Sequence, residues 1–146
     1  MNYAPIVCYD SSVIMNGGRI CHNTLHAYSI GAGAVKLVGS STFEMNGGEI
    51  YDNSNDERGG AISTMSTRHS SSSIIINGGK IHSNTALGGG AIFVDKGTLK
   101  MTNGEIYNNK AIKEGNTNIE DGGEGGGAIT IKNNSTATLT GGKIYN

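Results

Sequence analysis

The stretch Met45-Asn46-Gly47-Gly48-Glu49-Ile50-Tyr51-Asp52-Asn53 is one of five related segments in this chain. Met15-Asn16-Gly17-Gly18-Arg19-Ile20-Cys21-His22-Asn23 precedes it. Ile76–Asn84, Met101–Asn109 and the shorter Leu139–Asn146 follow it. A unit this short cannot bury an apolar face alone, so its copies must stack on one another. The shared isoleucines, Ile20, Ile50, Ile81, Ile106 and Ile144, are separated by 30, 31, 25 and 38 residues, and loops absorb the difference. The 24 glycines, which would otherwise suggest disorder in a chain with 5% aromatic residues, then read as the corners of a coil.

Each repeat predicts three strands. The first alternates in and out, as in Val13-Ile14-Met15, Phe43-Glu44-Met45, Ile74-Ile75-Ile76, Leu99-Lys100-Met101 and Ala137-Thr138-Leu139. A Gly-rich corner leads to the second, centred on the shared isoleucine. A glycine cluster leads to the third: Ala34–Leu37, Ala61–Thr64, Ala91–Val94, Ala128–Ile131 and, at the N-terminus, Pro5–Cys8. Cys8 faces inward in this register and Cys21 outward, so no disulfide is expected between them.

Stacking turns equivalent positions into columns about 4.8 Å apart. Asn23, Asn53, Asn84 and Asn109 form one in which side-chain amides hydrogen-bond along the stack. Arg19, Glu49, Lys80, Glu105 and Lys143 form an exposed one whose charge alternates at every turn, as cross-strand pairing favours. Beside it run Cys21, Tyr51, His82, Tyr107 and Tyr145. Rings in a row suit stacking on sugars or on a protein partner, or they stack on each other to cover the strand.

At these residues the chain resembles the right-handed parallel β-helix repeats of bacterial cell-surface and autotransporter-type proteins. It is similar to the passenger repeats of chlamydial polymorphic outer membrane proteins, which combine Gly-Gly-Ala-Ile with Phe-x-x-Asn. The first motif stands here as Gly59–Ile62, Gly89–Ile92 and Gly126–Ile129, and the second is altered to Ile-x-x-Asn, as in Ile50 to Asn53. The resemblance implies surface display and adhesion, hence an extracellular or cell-surface location. The expected fold is all-β, a right-handed parallel β-helix of about five three-stranded turns in a single domain, 1–146. Turn-like repeats fall near 13–41, 42–72, 73–97, 98–135 and 136–146, with a partial turn at 3–10.

A net charge of −1 and the lack of a basic cluster speak against nucleic acid or an anionic membrane as partner. The apolar runs are too short for a membrane-spanning helix, and the N-terminus lacks the pattern of a signal peptide. Parallel β-helices include polysaccharide lyases and hydrolases, so a carbohydrate-binding or polysaccharide-degrading protein is the alternative class. Such chemistry needs paired carboxylates in a groove. Asp52, Asp56 and Glu57 cluster after one corner, in an expected short loop with no partner across turns, so no catalytic set is assigned. The four histidines share no ligand spacing. The acidic insertion carrying Glu114, Glu120, Asp121 and Glu124 is a weak calcium candidate, and no other cofactor is expected.

Counted as three strands per turn, the chain makes a whole number of turns, and neither end shows a cap. Ile6, Cys8, Val13, Met15 and Ile20 would lie at one end, and Ile131, Leu139 and Ile144 at the other. Bare solenoid ends expose the core and unpaired backbone groups. The expected partner is therefore the protein itself, head to tail in a fibre, with Lys143 meeting Arg19 at the junction. The competing expectation is a portion of a longer adhesin, which binds a host or surface glycan or protein.

Overall fold

The computed structural model describes residues 4–26, 31–65, 69–112 and 126–146. Among these there are nineteen strands and no helix, in four sheets whose strands all pair in parallel. The first sheet holds β1 (Ile6–Tyr9), β5 (Val35–Val38), β9 (Ile62–Met65), β13 (Ile92–Asp95) and β17 (Ile129–Lys132). The second holds β2 (Ser12–Met15), β6 (Thr42–Met45), β10 (Ser72–Ile76), β14 (Gly97–Met101) and β18 (Thr136–Leu139). The third holds β3 (Arg19–Cys21), β7 (Glu49–Tyr51), β11 (Lys80–His82), β15 (Glu105–Tyr107) and β19 (Lys143–Tyr145). The fourth holds β4 (Thr24–Leu25), β8 (Ser54–Arg58), β12 (Thr85–Gly88) and β16 (Lys110–Ala111). The chain visits the sheets in fixed rotation and adds one strand to each per round, an arrangement consistent with a parallel β-solenoid.

The sheets number four, not three. Strands of low apolar content, two to five residues long, follow the asparagine corner, and each turns one side chain inward: Leu25, Asn55, Ala86 and Ala111. Asp56 and Glu57 consequently lie on β8 rather than in a loop. The fourth sheet has one strand fewer than the others among the described residues, so the count of complete three-strand turns does not hold.

The predicted registers are otherwise observed. Ile20, Ile50, Ile81, Ile106 and Ile144 are successive partners across the third sheet. In the second sheet Met15, Met45, Ile76, Met101 and Leu139 align, as do Val13, Phe43, Ile74, Leu99 and Ala137. Ile6, Val35, Ile62, Ile92 and Ile129 align in the first. Most of these side chains form one continuous buried core. The in-and-out alternation fails at Phe93. It fails likewise at its register partner Ser63: both are fully buried, Ser63 donating to Gly31 O and Phe93 lying with the Arg58 guanidinium 5.2 Å from its ring centroid.

Two corners show why the sequence carries its glycines. Gly18, Gly48, Gly79, Gly104 and Gly142, between the second and third sheets, have φ of 86, 90, 85, 97 and 86°, a region that side-chain-bearing residues avoid. Gly33, Gly60, Gly90 and Gly127 stack so closely that a Cβ on any of the first three would strike the carbonyl oxygen of the next glycine in that series. That close approach is the physical content of the Gly-Gly-Ala-Ile motif. The corner after the third sheet does without glycine: His22, Asp52, Ser83 and Asn108 take φ of 57, 50, 54 and 51°.

Candidate functional site

The third sheet collects the predicted columns on and around its outer face. The register brings Arg19, Glu49, Lys80, Glu105 and Lys143 into one line. Among the described residues, one pair in that line closes to salt-bridge distance, Arg19 Nε to Glu49 Oε2 at 3.4 Å. An open groove of about 490 Å³ runs beside it over Gly47, Gly48 and Gly79. Its charged wall of Arg19, Glu49 and Lys80 alternates in sign, so it favours neither an anionic nor a cationic polymer.

The adjacent rings form a stack. Tyr51 and His82 lie 5.1 Å apart between centroids at 5°, His82 and Tyr107 4.7 Å at 10°, and Tyr107 and Tyr145 5.2 Å at 9°. His22 closes the lower end edge-on to Tyr51 at 5.5 Å. Each inner ring spends both faces on its neighbours, and the solvent meets edges. Of the two expected uses of this column, the geometry shows rings packed on one another. A hydrogen bond with the Cys21 thiol, more than burial, raises the Tyr51 phenol pKa. Desolvation raises that of Tyr145, followed by the hydrogen bond its hydroxyl donates to Glu105 Oε2 (3.2 Å). Cys8 is buried in the first sheet, which pushes its thiol pKa up, whereas Cys21 is half-exposed on the third.

Two asparagine columns flank this sheet. In the inner one, the Nδ2 groups of Asn23, Asn53 and Asn84 donate to the Oδ1 of Asn53 (2.8 Å), Asn84 (3.0 Å) and Asn109 (3.0 Å). The same acceptors take the backbone N–H of the preceding asparagine at 3.0–3.2 Å. Each Nδ2 also reaches the carbonyl two residues back, and those of Asn53, Asn84 and Asn109 reach the isoleucine carbonyl of the preceding round. The outer column was legible only as turn residues. Asn46 Nδ2 donates to Asn16 Oδ1 and Asn77 Nδ2 to Asn46 Oδ1, both at 2.9 Å, and the Thr102 hydroxyl donates to Asn77 Oδ1 at 3.0 Å.

Two of the acidic residues around Asn53, Asp52 and Asp56, do have partners across rounds, contrary to expectation. His26 Nδ1 lies 2.7 Å from Asp56 Oδ2, and His22 Nδ1 3.8 Å from Asp52 Oδ2. His22 over Asp52 continues the third-sheet register of Cys21 and Tyr51, whereas His26 over Asp56 continues that of the fourth sheet, which the three-strand repeat does not contain. Beside the His26–Asp56 pair the Ser54 hydroxyl donates to Thr24 Oγ1 at 3.2 Å. Among the described residues no three His, Cys, Asp or Glu side chains converge to hold a metal. Glu114, Glu120, Asp121 and Glu124 lie outside the described residues.

The C-terminal layer is the remaining candidate. Ile131, Leu139 and Ile144 are 36%, 51% and 42% exposed, while their column neighbours Val94, Met101 and Ile106 are 0–1% exposed. At the opposite end Ile6, Val13 and Ile20 are half-buried, but Cys8 and Met15 are buried in the core and present little surface. The two ends therefore differ: one is an apolar platform and the other is partly closed. These features define a class, a parallel β-sheet stack whose ordered chemistry is columns rather than a pocket. No protein-family model matches the chain, and neither a curated protein nor a solved structure is significantly similar to it.

Proposed function

We infer that the four sheets close into a right-handed parallel β-helix, the hand that connections between parallel strands take, and that the protein is a structural rod. The rod acts outside the cell or at its surface, as a fibre or as the stalk of an adhesin. Its C-terminal layer receives the N-terminal layer of a second copy. The observation that carries this is the exposed platform of Ile131, Leu139 and Ile144 among otherwise buried columns. Under the register that holds throughout the molecule, Ile144 would meet Ile20, Leu139 would meet Met15, Ile131 would meet Cys8 and Ile129 would meet Ile6. Strands β17, β18 and β19 also carry backbone groups along the same edge, which parallel pairing would satisfy.

Two features shape that junction. Lys143 would meet Arg19, the one place where like charges adjoin in the ladder, so assembly strengthens as salt rises. The fourth sheet would be one strand short there, because its last described strand is β16. The ring stack supports a structural role over sugar binding, since both faces of its inner rings, His82 and Tyr107, are already occupied. The test is mass against concentration by light scattering, with negative-stain imaging. Rods that lengthen with concentration, and Leu139→Asp rods that stay short, are expected. Short monodisperse rods at high concentration in the unaltered protein overturn the proposal.

A further inference from the structure

The chain contains four Asn-Gly pairs, Asn16-Gly17, Asn46-Gly47, Asn77-Gly78 and Asn103-Gly104, all at the corner between the second and third sheets. An Asn followed by Gly is chemically labile. The glycine nitrogen attacks the asparagine side-chain carbonyl carbon, a C–N bond forms, and ammonia leaves with the displaced proton. The resulting succinimide is opened by water to an aspartyl or isoaspartyl residue. Glycine permits this because no Cβ shields its nitrogen or restricts the backbone rotation the ring requires.

The structure separates these four pairs. Asn77 is held by three side-chain hydrogen bonds: it donates to Asn46 Oδ1 (2.9 Å) and Glu44 Oε1 (3.3 Å) and accepts from Thr102 (3.0 Å). Asn46 is held from both sides, and its attacking group is occupied, because the Gly47 N–H donates to Met15 O at 3.3 Å. Asn16 ends the ladder: it is exposed, accepts a single bond from Asn46, and a Cβ on Gly17 would meet nothing within 4 Å. Asn103 stands in the column of Gly17, Gly47, Gly78 and Gly141 rather than in the amide ladder. It is exposed, and its side chain makes no hydrogen bond among the described residues.

We propose that Asn16 and Asn103 are sites of spontaneous conversion to aspartyl and isoaspartyl residues, while the outer amide column protects Asn46 and Asn77. Water is the co-reactant. An aspartate at position 16 still accepts from Asn46, whereas an isoaspartate lengthens the main chain at a corner whose spacing fixes the register of β3. The first layer therefore loosens as the protein ages, and each event adds a negative charge to the flank of the rod.

The intact protein, incubated in warm, mildly alkaline buffer, is sampled over time by peptide mapping with mass spectrometry that distinguishes isoaspartate. A parallel sample is held in denaturant. In denaturant the four pairs should react at similar rates. In the native protein Asn16 and Asn103 should react at least about fivefold faster than Asn46 and Asn77, the Boltzmann weight of one net hydrogen bond. The variant Thr102→Val, which removes the donor to Asn77, should speed Asn77 and leave Asn103 unchanged. Equal native rates at the four positions, native reaction led by Asn46 or Asn77, or no reaction at Asn16 and Asn103 while the denatured chain reacts, would overturn the proposal.

Discussion

The two asparagine columns beside the third sheet use the same residue at the same spacing and do different work. In the inner column Asn84 is fully buried; its amide makes three donor contacts, and its oxygen accepts the side chain and backbone of Asn53. In the outer column the exposed Asn46 gives one side-chain bond and takes one, with water ready to replace either. Burial makes the difference. An amide in the core must satisfy itself and the main chain around it, whereas one at the surface competes with solvent for a small net gain. Identical columns in a repeat protein are therefore not equivalent in energy, and the inner one is the structural spine.

The largest effect separating the columns is expected at Asn84→Ala. It strands the backbone N–H of Asn53 and the carbonyls of Ile50 and His82. Denaturant unfolding should show a loss of about 2–4 kcal/mol, the cost of unsatisfied buried groups. Next is the pair Asn53→Ala with Asn84→Ala. These residues share a hydrogen bond, so a double-mutant cycle should depart from additivity by about 0.5–3 kcal/mol. At the residue before the inner column the sign reverses. Ser83 holds φ of 54°, so Ser83→Gly should raise the midpoint by the equivalent of about 0.5–1 kcal/mol, relief of left-handed strain less the entropy of glycine. The smallest loss belongs to the outer column, where Asn46→Ala should cost no more than about 1 kcal/mol in the same experiment, the net worth of a solvent-exposed hydrogen bond. A loss at Asn46 equal to that at Asn84 would erase the distinction.

Much of the stack was legible in the chain because its columns are chemically pure. Five isoleucines, four asparagines and five alternating charges set the register of the third sheet, and the alternating triplets and Gly-Gly-Ala-Ile segments set that of the first two. The fourth sheet was not, because Thr24-Leu25 and Lys110-Ala111 are two residues long and Ser54–Arg58, though five long, is wholly polar, with Asn55 as its buried residue. The signal was present as a hydroxyl or lysine and then a small or apolar residue after three of the four inner asparagines. Asn55 broke the pattern in the round that also holds the acidic cluster. The same omission concealed the pairing of His26 with Asp56, while that of His22 with Asp52 was already implied by the register of Cys21 and Tyr51. The left-handed corner at His22, Asp52, Ser83 and Asn108 escaped notice for the opposite reason: its geometry is uniform while its residues are not.

The claim beneath all of this is that equivalent residues of successive rounds sit directly above one another. Cysteine cross-linking on the charge ladder tests it most directly, in a chain with Cys8 and Cys21 replaced by serine. Glu49 and Lys80 are register partners, and Glu49 and Glu105 are two rounds apart. Adjacent strands place Cα atoms about 4.8 Å apart, inside the reach of a disulfide, and doubling that distance puts them outside it. Glu49→Cys with Lys80→Cys should therefore oxidise to an intramolecular disulfide without loss of fold, and Glu49→Cys with Glu105→Cys should remain reduced within the chain. The reverse pattern, or no bridge in either, would contradict the stacking register.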